Sequence, residues 1–240
     1  MGSGSVELDG VIKFNGVPYK SPSAINDASL FKELEQWRSY LRFWKLVGQG
    51  KDNVGYGNLS RKVPLKVADG KLEVIITGAD TGKLVRLGIE NYVLVEEISP
   101  EMNEVYHSRF GDGKNETKPS SETMTHFGVY NALPDTNFVF HAHSPSLWNA
   151  RHALNIPTTP EQAKYGTPEL YFAIKQLLAE PDVAKKKIVA LGGHPPGIVT
   201  WGRTASEAGL SMLVYQAMSS PVSAYQHMRE NFEQPIGRRI

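Results

Sequence analysis

The segment Phe138–His143 constrains the fold of this chain more than any other stretch of its sequence. Successive side chains of a β-strand point to opposite faces, and this segment alternates in that way. One face would carry two phenylalanines and an alanine, and the other would carry Val139, His141 and His143. The pattern predicts a strand that is anchored in a core and whose two histidines face a cleft.

Size and composition favour one large α/β domain. The chain has 240 residues, 40% of them hydrophobic, and a formal net charge of +1, which gives no basic field for nucleic acid or an acidic membrane. Cysteine is absent, which excludes disulfides and thiolate metal ligands. No apolar run reaches the roughly 18–20 residues of a membrane span, and residues 1–5 lack the features of a secretory signal. We therefore expect a cytoplasmic protein without nucleic-acid or membrane partners.

Apolar periodicity predicts helices packed around a run of short strands. We expect strands at 11–14, 57–60, 72–77, 92–98, 138–141, 187–191 and 197–201. We expect helices from Asn26 or Asp27 to near Gly48, from Ser120 to Leu133, over 145–154, from a cap at Thr167, and from the capping box at Thr204. The mixture of hairpins and crossovers indicates a layered α/β domain with a mixed, mostly antiparallel sheet.

Two of these helices have a predicted buried face. The first should bury Leu30, Leu34, Trp37, Leu41 and Trp44, and the last should bury Leu210, Leu213, Val214 and Ala217. We divide the chain into an N-terminal arm (1–26), a single domain (27–224) and a C-terminal tail (225–240).

Three histidines form a candidate metal centre. His141 and His143 share a strand face, and His194 lies in a turn rich in glycine and proline before the next strand. Three imidazoles leave a coordination position open, as catalytic metal sites do. Zn²⁺ suits this set best, and Co²⁺, Mn²⁺ or Fe²⁺ could replace it. The alternative is that these are histidines hydrogen-bonded to the backbone, with no metal.

Glu122 is the candidate general acid/base. It falls in the predicted first turn of the second helix, where the helix dipole would lower its pKa and an apolar cleft would raise it. Alternatively, it only complements the dipole. Ser120 and Ser121 precede it, and with 57–60 and 77–82 they suggest a pocket for a phosphate or carboxylate. His126, on the same helix, is expected to be packed and hydrogen-bonded.

Several motifs together resemble the class II aldolase/adducin family over roughly residues 30–218. They are Gly57-Asn-Leu-Ser60, Ile76-Thr-Gly78, Pro119-Ser-Ser-Glu122 with His126, Val139-Phe-His-Ala-His-Ser-Pro145, Tyr165-Gly-Thr-Pro-Glu-Leu170, residues 190–194, and Val199-Thr-Trp-Gly202. The resemblance implies a three-layer α/β/α domain. It also implies a homotetramer with active sites between subunits.

The resemblance also implies roles for the site residues. A divalent metal, typically zinc, would be held by His141, His143 and His194, and Glu122 would be the catalytic acid/base. The phosphate-binding groups of sugar-phosphate aldolases correspond to Asn58, Thr77, Gly78, Ser120 and Ser121.

The function that this resemblance implies is a metal-dependent lyase of carbohydrate metabolism. It would cleave a small hydroxy-ketone or sugar phosphate by a reversible retro-aldol reaction through a metal-bound enediolate. The alternatives are a decarboxylase, dehydratase or epimerase of the same fold, or an adducin-like interaction module. The chain departs from the family pattern at Pro195-Pro196 and in Thr77-Gly-Ala-Asp-Thr-Gly82, and Tyr165 is a candidate for the proton donor.

Overall fold

The computed structural model describes residues 11–19, 27–64, 72–110 and 116–232, with side chains up to residue 221. The strands are β1 (Asn15–Pro18), β2 (Gly48–Gln49), β3 (Gly55–Tyr56), β4 (Asn58–Lys62), β5 (Val74–Thr77), β6 (Tyr92–Ser99), β7 (Glu104–Arg109), β8 (Phe138–His143), β9 (Ile188–Ala190) and β10 (Gly197–Gly202). The helices are α1 (Ser29–Phe43), α2 (Thr123–Ala132), α3 (Pro145–Ala150), α4 (Pro168–Leu178), α5 (Pro181–Lys186) and α6 (Ala205–Phe232).

Eight of these strands form one sheet in the order β1-β7-β6-β5-β4-β8-β10-β9. Strand β1 pairs with β7 in parallel, and the other neighbours pair antiparallel. Strands β2 and β3 form a separate short pair. The prediction of a mixed, mostly antiparallel sheet is confirmed. Strand β8 lies between β4 and β10, so both of its edges are hydrogen-bonded.

Helices cover both faces of the sheet, and a hydrophobic core fills each side. One core joins side chains of α1, α3 and α6 to Phe138, Phe140 and Ala142 of β8. The other joins side chains of α2 and α4 to Val139. The predicted alternation along β8 is thus confirmed, and the fold is a three-layer α/β/α domain. Among the helices of the described ranges, none is long and apolar enough to cross a bilayer.

Some element boundaries were predicted wrongly. The first described strand covers Asn15–Pro18 rather than 11–14, and β7 and α5 were not predicted at all. Strand β7 buries His107 and Ser108, so its polar composition hides the apolar pattern of a strand. Helix α5 has only six residues, too few to show a helical period.

Helix starts and ends also differ from the predictions. Asp27 accepts a hydrogen bond from the backbone N–H of Ser29 (2.9 Å), as expected, while Asn26 lies outside the described residues. Helix α1 ends at Phe43, before Gly48. Helix α2 begins at Thr123, because the hydroxyl and carbonyl oxygens of Ser120 accept the next backbone N–H groups in a turn.

Two further helix caps were predicted, at Thr167 and Thr204, and only Thr204 makes the hydrogen bond of a cap. Thr167 and Pro168 occupy the expected positions at the start of α4, but the Thr167 hydroxyl donates to the carbonyl of Lys164 (2.8 Å). The Thr204 hydroxyl does accept the backbone N–H of Glu207 (3.1 Å). Helix α6 continues to Phe232, into the predicted tail, whose residues 233–240 lie outside the described part of the chain.

The predicted buried faces are only partly correct. In α1, Leu30, Leu34 and Leu41 are buried, Trp37 is half-buried, and Trp44 lies beyond the helix and is 56% exposed. In α6 the prediction is wrong, because the buried apolar side chains in its described part are Ala205, Ala208 and Met212. Leu210, Val214 and Ala217 are exposed, and Leu213 is half-buried. Small residues let α6 approach its neighbours closely, which turns the large apolar side chains outward.

Gly209 marks this close approach, and its replacement by alanine is expected to destabilise the fold. A Cβ at this position would lie 2.1 Å from the ring of Trp37 on α1. At so short a contact the overpacking should cost about 3 kcal/mol, the upper end of the usual range, which exceeds the roughly 1 kcal/mol that alanine gains in helix propensity. Urea unfolding measures the change, with Ser206→Ala on the exposed face as control. A stabilised Gly209→Ala protein would contradict the packing described.

Candidate active site

The three candidate metal ligands come from neighbouring parts of the sheet. His141 and His143 lie on β8, and His194 lies in the turn between β9 and β10. Strand β10 brings Gly197 opposite His143. A Cβ on Gly197 would lie 2.9 Å from the His194 ring and 3.0 Å from the His141 ring, so glycine leaves the space in which these rings meet.

The imidazole nitrogens converge on one point. One ring nitrogen from each of His141, His143 and His194 lies within 4.8 Å of the others, and the Nε2 atoms of His143 and His194 are 3.1 Å apart. Nδ1 of His141 lies 3.2 Å from the carbonyl oxygen of Ile198. Donation from Nδ1 to this carbonyl would fix the tautomer that leaves Nε2 as a ligand atom.

The electrostatics of the triad favour neutral rings. Burial lowers the pKa of His141 well below its ordinary value, and the neighbouring imidazoles lower it further. Burial also lowers the pKa of His194, as do the nearby His143 and Lys13. A metal binds the neutral form of imidazole. Because these lowered pKa values keep the rings neutral, no proton has to leave before a metal binds. Within the described residues, this triad is therefore a group that fits a divalent cation.

Glu122 lies directly beside the triad. The residue is 2% exposed, and one carboxylate oxygen, Oε1, is 3.4 Å from Nε2 of His194. The other oxygen, Oε2, accepts a hydrogen bond from the hydroxyl of Thr125 (2.5 Å). Thr125 thus fixes one oxygen of the carboxylate, and the other oxygen faces the candidate cation site. A carboxylate in this position can carry a proton to or from a group bound there.

A small polar cavity adjoins the carboxylate and the triad. It is lined by Gly55, Tyr56, Gly57, Asn58, Gly78, Asp80, Thr81, Gly82, Ser120, Ser121, Glu122, His141 and His143. Four of the five predicted phosphate-binding residues thus lie together. Thr77 does not line the cavity, and its hydroxyl accepts the backbone N–H of Leu59 (3.2 Å). The cavity volume of about 20 Å³ corresponds to about one water-sized group.

Tyr56 was missed by the sequence analysis. Its ring stacks on that of His143 at a centroid distance of 5.2 Å and an interplanar angle of 8°. Tyr56 and His143 also line an outer groove of about 450 Å³ together with Val54, Pro145 and Pro196, among others. A lone tyrosine between two glycines gave no signal of this position. The inner cavity and the outer groove therefore meet at the His143 ring.

Asp80 adds a second carboxylate to the lining of this cavity, which also includes Glu122. It accepts the backbone N–H of Gly55 (2.7 Å) and forms an ion pair with Lys83. Its backbone is left-handed (φ 61°), a conformation that aspartate tolerates better than most residues. The departure from the family pattern noted in the sequence therefore falls on the cavity lining.

A buried hydrogen-bond network supports the cavity from behind. Ser60 Oγ lies 2.6 Å from Nδ1 of His126 and 2.8 Å from the Tyr130 hydroxyl, and Nε2 of His126 lies 2.6 Å from Oδ1 of Asn58. A neutral His126 satisfies this chain by accepting from Ser60 and donating to Asn58. The packed, hydrogen-bonded role expected for His126 is confirmed. The network fixes the Asn58 amide at the cavity wall.

His126 should make the fold sensitive to acid. Burial lowers its pKa to about 3, so the unfolded chain takes up a proton that the folded chain does not. Its stabilising effect is complete above the unfolded pKa of about 6.5 and is lost as the pH falls from there towards 3. Urea unfolding of the metal-free protein measures this effect. Between pH 7 and pH 5 the free energy of unfolding should fall by about 2 kcal/mol less in His126→Gln than in the parent. An identical loss in parent and variant would contradict a neutral His126.

Tyr165 lies beside the triad, although its role as proton donor stays a prediction. Its side chain is 2% exposed, and its ring centroid is 4.6 Å from that of His194. The ammonium of Lys13 lies 3.8 Å from the Tyr165 ring centroid. The residues just before β1 therefore reach the edge of the site.

The fold and the site define a class of protein, and comparison with known proteins agrees. The family described as Class II Aldolase and Adducin N-terminal domain matches residues 43–219. The chain belongs to this family, which confirms the resemblance seen in the sequence.

Two relatives in sequence carry the same name. The methylthioribulose-1-phosphate dehydratase of Methylococcus capsulatus is 27% identical over 184 residues, which cover 67% of this chain and 79% of the relative. The methylthioribulose-1-phosphate dehydratase of Gluconacetobacter diazotrophicus is 30% identical over 115 residues, which cover 46% of this chain and 47% of the relative. Both relatives are named as dehydratases, and a dehydratase of the same fold is one of the predicted alternatives.

Solved structures establish the fold. The sugar-phosphate aldolase of Thermotoga maritima aligns with a TM-score of 0.62 at 17% identity, over 83% of this chain and 96% of that one. The L-fuculose-1-phosphate aldolase of Thermus thermophilus aligns with a TM-score of 0.61 at 18% identity, over 85% and 97%. Aldolases and dehydratases are both lyases.

Proposed function

We propose that this protein is a divalent-metal-dependent lyase that removes water from a small hydroxy-ketone. The observation that carries the proposal is the Glu122 carboxylate, 3.4 Å from a nitrogen of the three-histidine cluster. A cation site and a proton carrier thereby meet at one place, as the loss of a proton next to a carbonyl requires.

Each residue of the site has a defined task in this reaction. His141, His143 and His194 would hold the cation. Zn²⁺, Co²⁺, Mn²⁺ or Fe²⁺ there would supply Lewis-acid polarisation of the substrate carbonyl and the hydroxyl beside it. Glu122 accepts the proton from the carbon next to the carbonyl, and Thr125 holds the carboxylate by its hydrogen bond (2.5 Å).

The same carboxylate completes the reaction. Once the C–H bond is broken, the electron pair moves towards the carbonyl, and the hydroxyl group on the next carbon departs. Glu122 returns its proton to that hydroxyl, so water leaves and the carboxylate is restored. No oxidant is consumed, because the substrate loses only water. In aldol cleavage, the second candidate, Glu122 takes the proton of the hydroxyl on that next carbon as the C–C bond breaks and an aldehyde forms, and it then delivers this proton to the carbon that remains.

The size of the two spaces suggests how a substrate lies. The inner cavity of about 20 Å³ has room for little more than one small polar group beside Asn58, Ser120 and Ser121. The outer groove of about 450 Å³ is large enough for the rest of a ketose chain. We propose that the substrate crosses the His143 ring and occupies both spaces.

Product analysis tests this proposal. The metal-loaded protein is incubated with methylthioribulose 1-phosphate, ribulose 1-phosphate or unphosphorylated ribulose, and the products are followed by ¹H NMR. A diketone formed with loss of water is expected from at least one of them. Aldehyde and ketone fragments would favour aldol cleavage. No reaction with a metal-loaded protein would favour an adducin-like interaction module.

We also propose that the protein is a homo-oligomer, with the tetramer as the expected state. Exposed apolar side chains support this, since they cluster at the end of α1 and along one side of α6. They are Phe43 (81% exposed), Trp44, Leu210, Val214 (54%) and Met218. A surface of this kind is typical of an interface. Light scattering should give a mass several times 26.6 kDa, and Val214→Lys should lower it.

A further inference from the structure

A second cavity, of about 470 Å³, lies at the opposite edge of the sheet from β9. It is lined by Ile12, Phe14, Asn15, Gly16, Pro18, His107, Arg109, Glu116, Thr117, Lys118 and Pro119. Among the described residues, it shares no lining residue with the cavity around Glu122. Its volume is in the range of small-molecule sites.

The wall formed by β7 carries a buried histidine for which the proposed lyase reaction has no use. His107 is 5% exposed, and its Nδ1 atom is buried with no hydrogen-bond partner among the described residues. A buried polar atom without a partner costs free energy and calls for an explanation such as a ligand. Burial and the nearby Arg109 lower the pKa of His107 to about 4, so the ring is neutral and can both donate and accept.

The remaining polar groups give the cavity a preference for anions. Arg109 lies two residues from His107 on β7 and therefore on the same face of the strand. Lys118 lines the cavity from the segment before α2, and Glu116 is the single carboxylate among the lining residues that the structure describes. Arginine and lysine are the usual partners of carboxylates, and the guanidinium can bind both oxygens at once.

Apolar side chains line another part of the cavity. Ile12, Phe14 and Pro18 come from the chain around β1, and Pro119 comes from the segment before α2. Such a surface excludes water and favours an organic body over an inorganic ion.

We propose that this cavity is a second binding site, for a small organic carboxylate with an apolar body. The carboxylate binds Arg109 and Lys118, the body lies against Phe14 and Pro119, and His107 contributes a neutral polar group. This site does not depend on the proposed lyase activity. It borders the catalytic segment, because Pro119 forms a β-bridge with Gly78 and Ser120 follows it directly.

Binding of benzoate, acetate and inorganic phosphate to the full chain tests the proposal. Calorimetry should show benzoate binding at least about tenfold more tightly than acetate or phosphate, because only benzoate fills the apolar walls. Arg109→Met/Lys118→Met should weaken benzoate at least about tenfold. Lys118→Met alone should weaken benzoate binding in part. It should leave the fold intact, because Lys118 is exposed. Lys32→Met, on the exposed side of α1, removes one charge outside this cavity and should change nothing.

The location of the ligand needs its own readout, because phosphate could bind near Ser120 instead. In the ¹H–¹⁵N NMR spectrum of the histidine rings, the His107 signal, assigned with His107→Gln, should move on addition of benzoate. If the double variant binds benzoate as tightly as the parent, the proposed site is wrong. It is also wrong if the His107 signal does not move at saturating benzoate. Phosphate that binds in this cavity as tightly as benzoate would contradict the proposal that the ligand has an apolar body.

Discussion

Glu122→Gln is expected to retain its metal and to lose at least about 10²-fold in turnover. Glutamine keeps the size of the side chain and can still contact Thr125, which holds Oε2 at 2.5 Å. It cannot carry a proton, and general acid/base catalysis contributes about 10²–10⁴-fold. Turnover and metal content are measured on the same preparation, so that loss of metal is separated from loss of the proton carrier.

Glu101→Gln is the matched control. Glu101 is an exposed carboxylate in the turn between β6 and β7, outside the candidate site. It should have parental turnover. Near-parental turnover in Glu122→Gln, with metal bound, would remove Glu122 from the reaction, whichever bond is broken.

The His141→Ala/His143→Ala protein is expected to have no metal-restorable activity. Chelation should inactivate the parent protein, and added Zn²⁺ or Co²⁺ should restore it. The double variant keeps only one imidazole of the triad, and a single histidine is a poor site for a divalent cation. Its activity with added metal should stay at the background level. Circular dichroism checks that the sheet remains folded.

His152→Ala controls for the loss of a histidine as such. His152 is exposed and lies outside the triad, so its removal should leave both inactivation and restoration unchanged. Equal restoration in the parent and the double variant would show that the metal acts somewhere other than His141 and His143.

Local patterns were enough to predict the centre of the fold. Strand β8 follows from strict alternation, because its two faces enter two different cores. The buried face of α6 could not be predicted in this way. Leu210 and Val214 follow the helical period, but the close contact between Gly209 and Trp37 selects a different face. Strand β7 was missed because its buried His107 is polar.

The candidate site, like the fold, could be predicted from local sequence patterns only in part. The sequence indicated the histidine triad and Glu122 because each stands in a distinctive motif, and the structure places them together. Tyr56 could not be predicted, because its stacking on His143 depends on how β3 meets β8. Thr77 was predicted to face the pocket, but its hydroxyl pairs with the backbone of β4. Contacts between elements distant in sequence decide these positions.

The most direct test of the account is the amount of metal per chain. Elemental analysis would compare the parent, purified without a histidine tag, with His141→Ala/His143→Ala and His152→Ala after incubation with zinc and removal of the excess. Close to one divalent ion per chain is expected in the parent and in His152→Ala, and almost none in the double variant. Equal and negligible metal in all three would contradict a metal centre at His141, His143 and His194, and with it the proposed lyase chemistry.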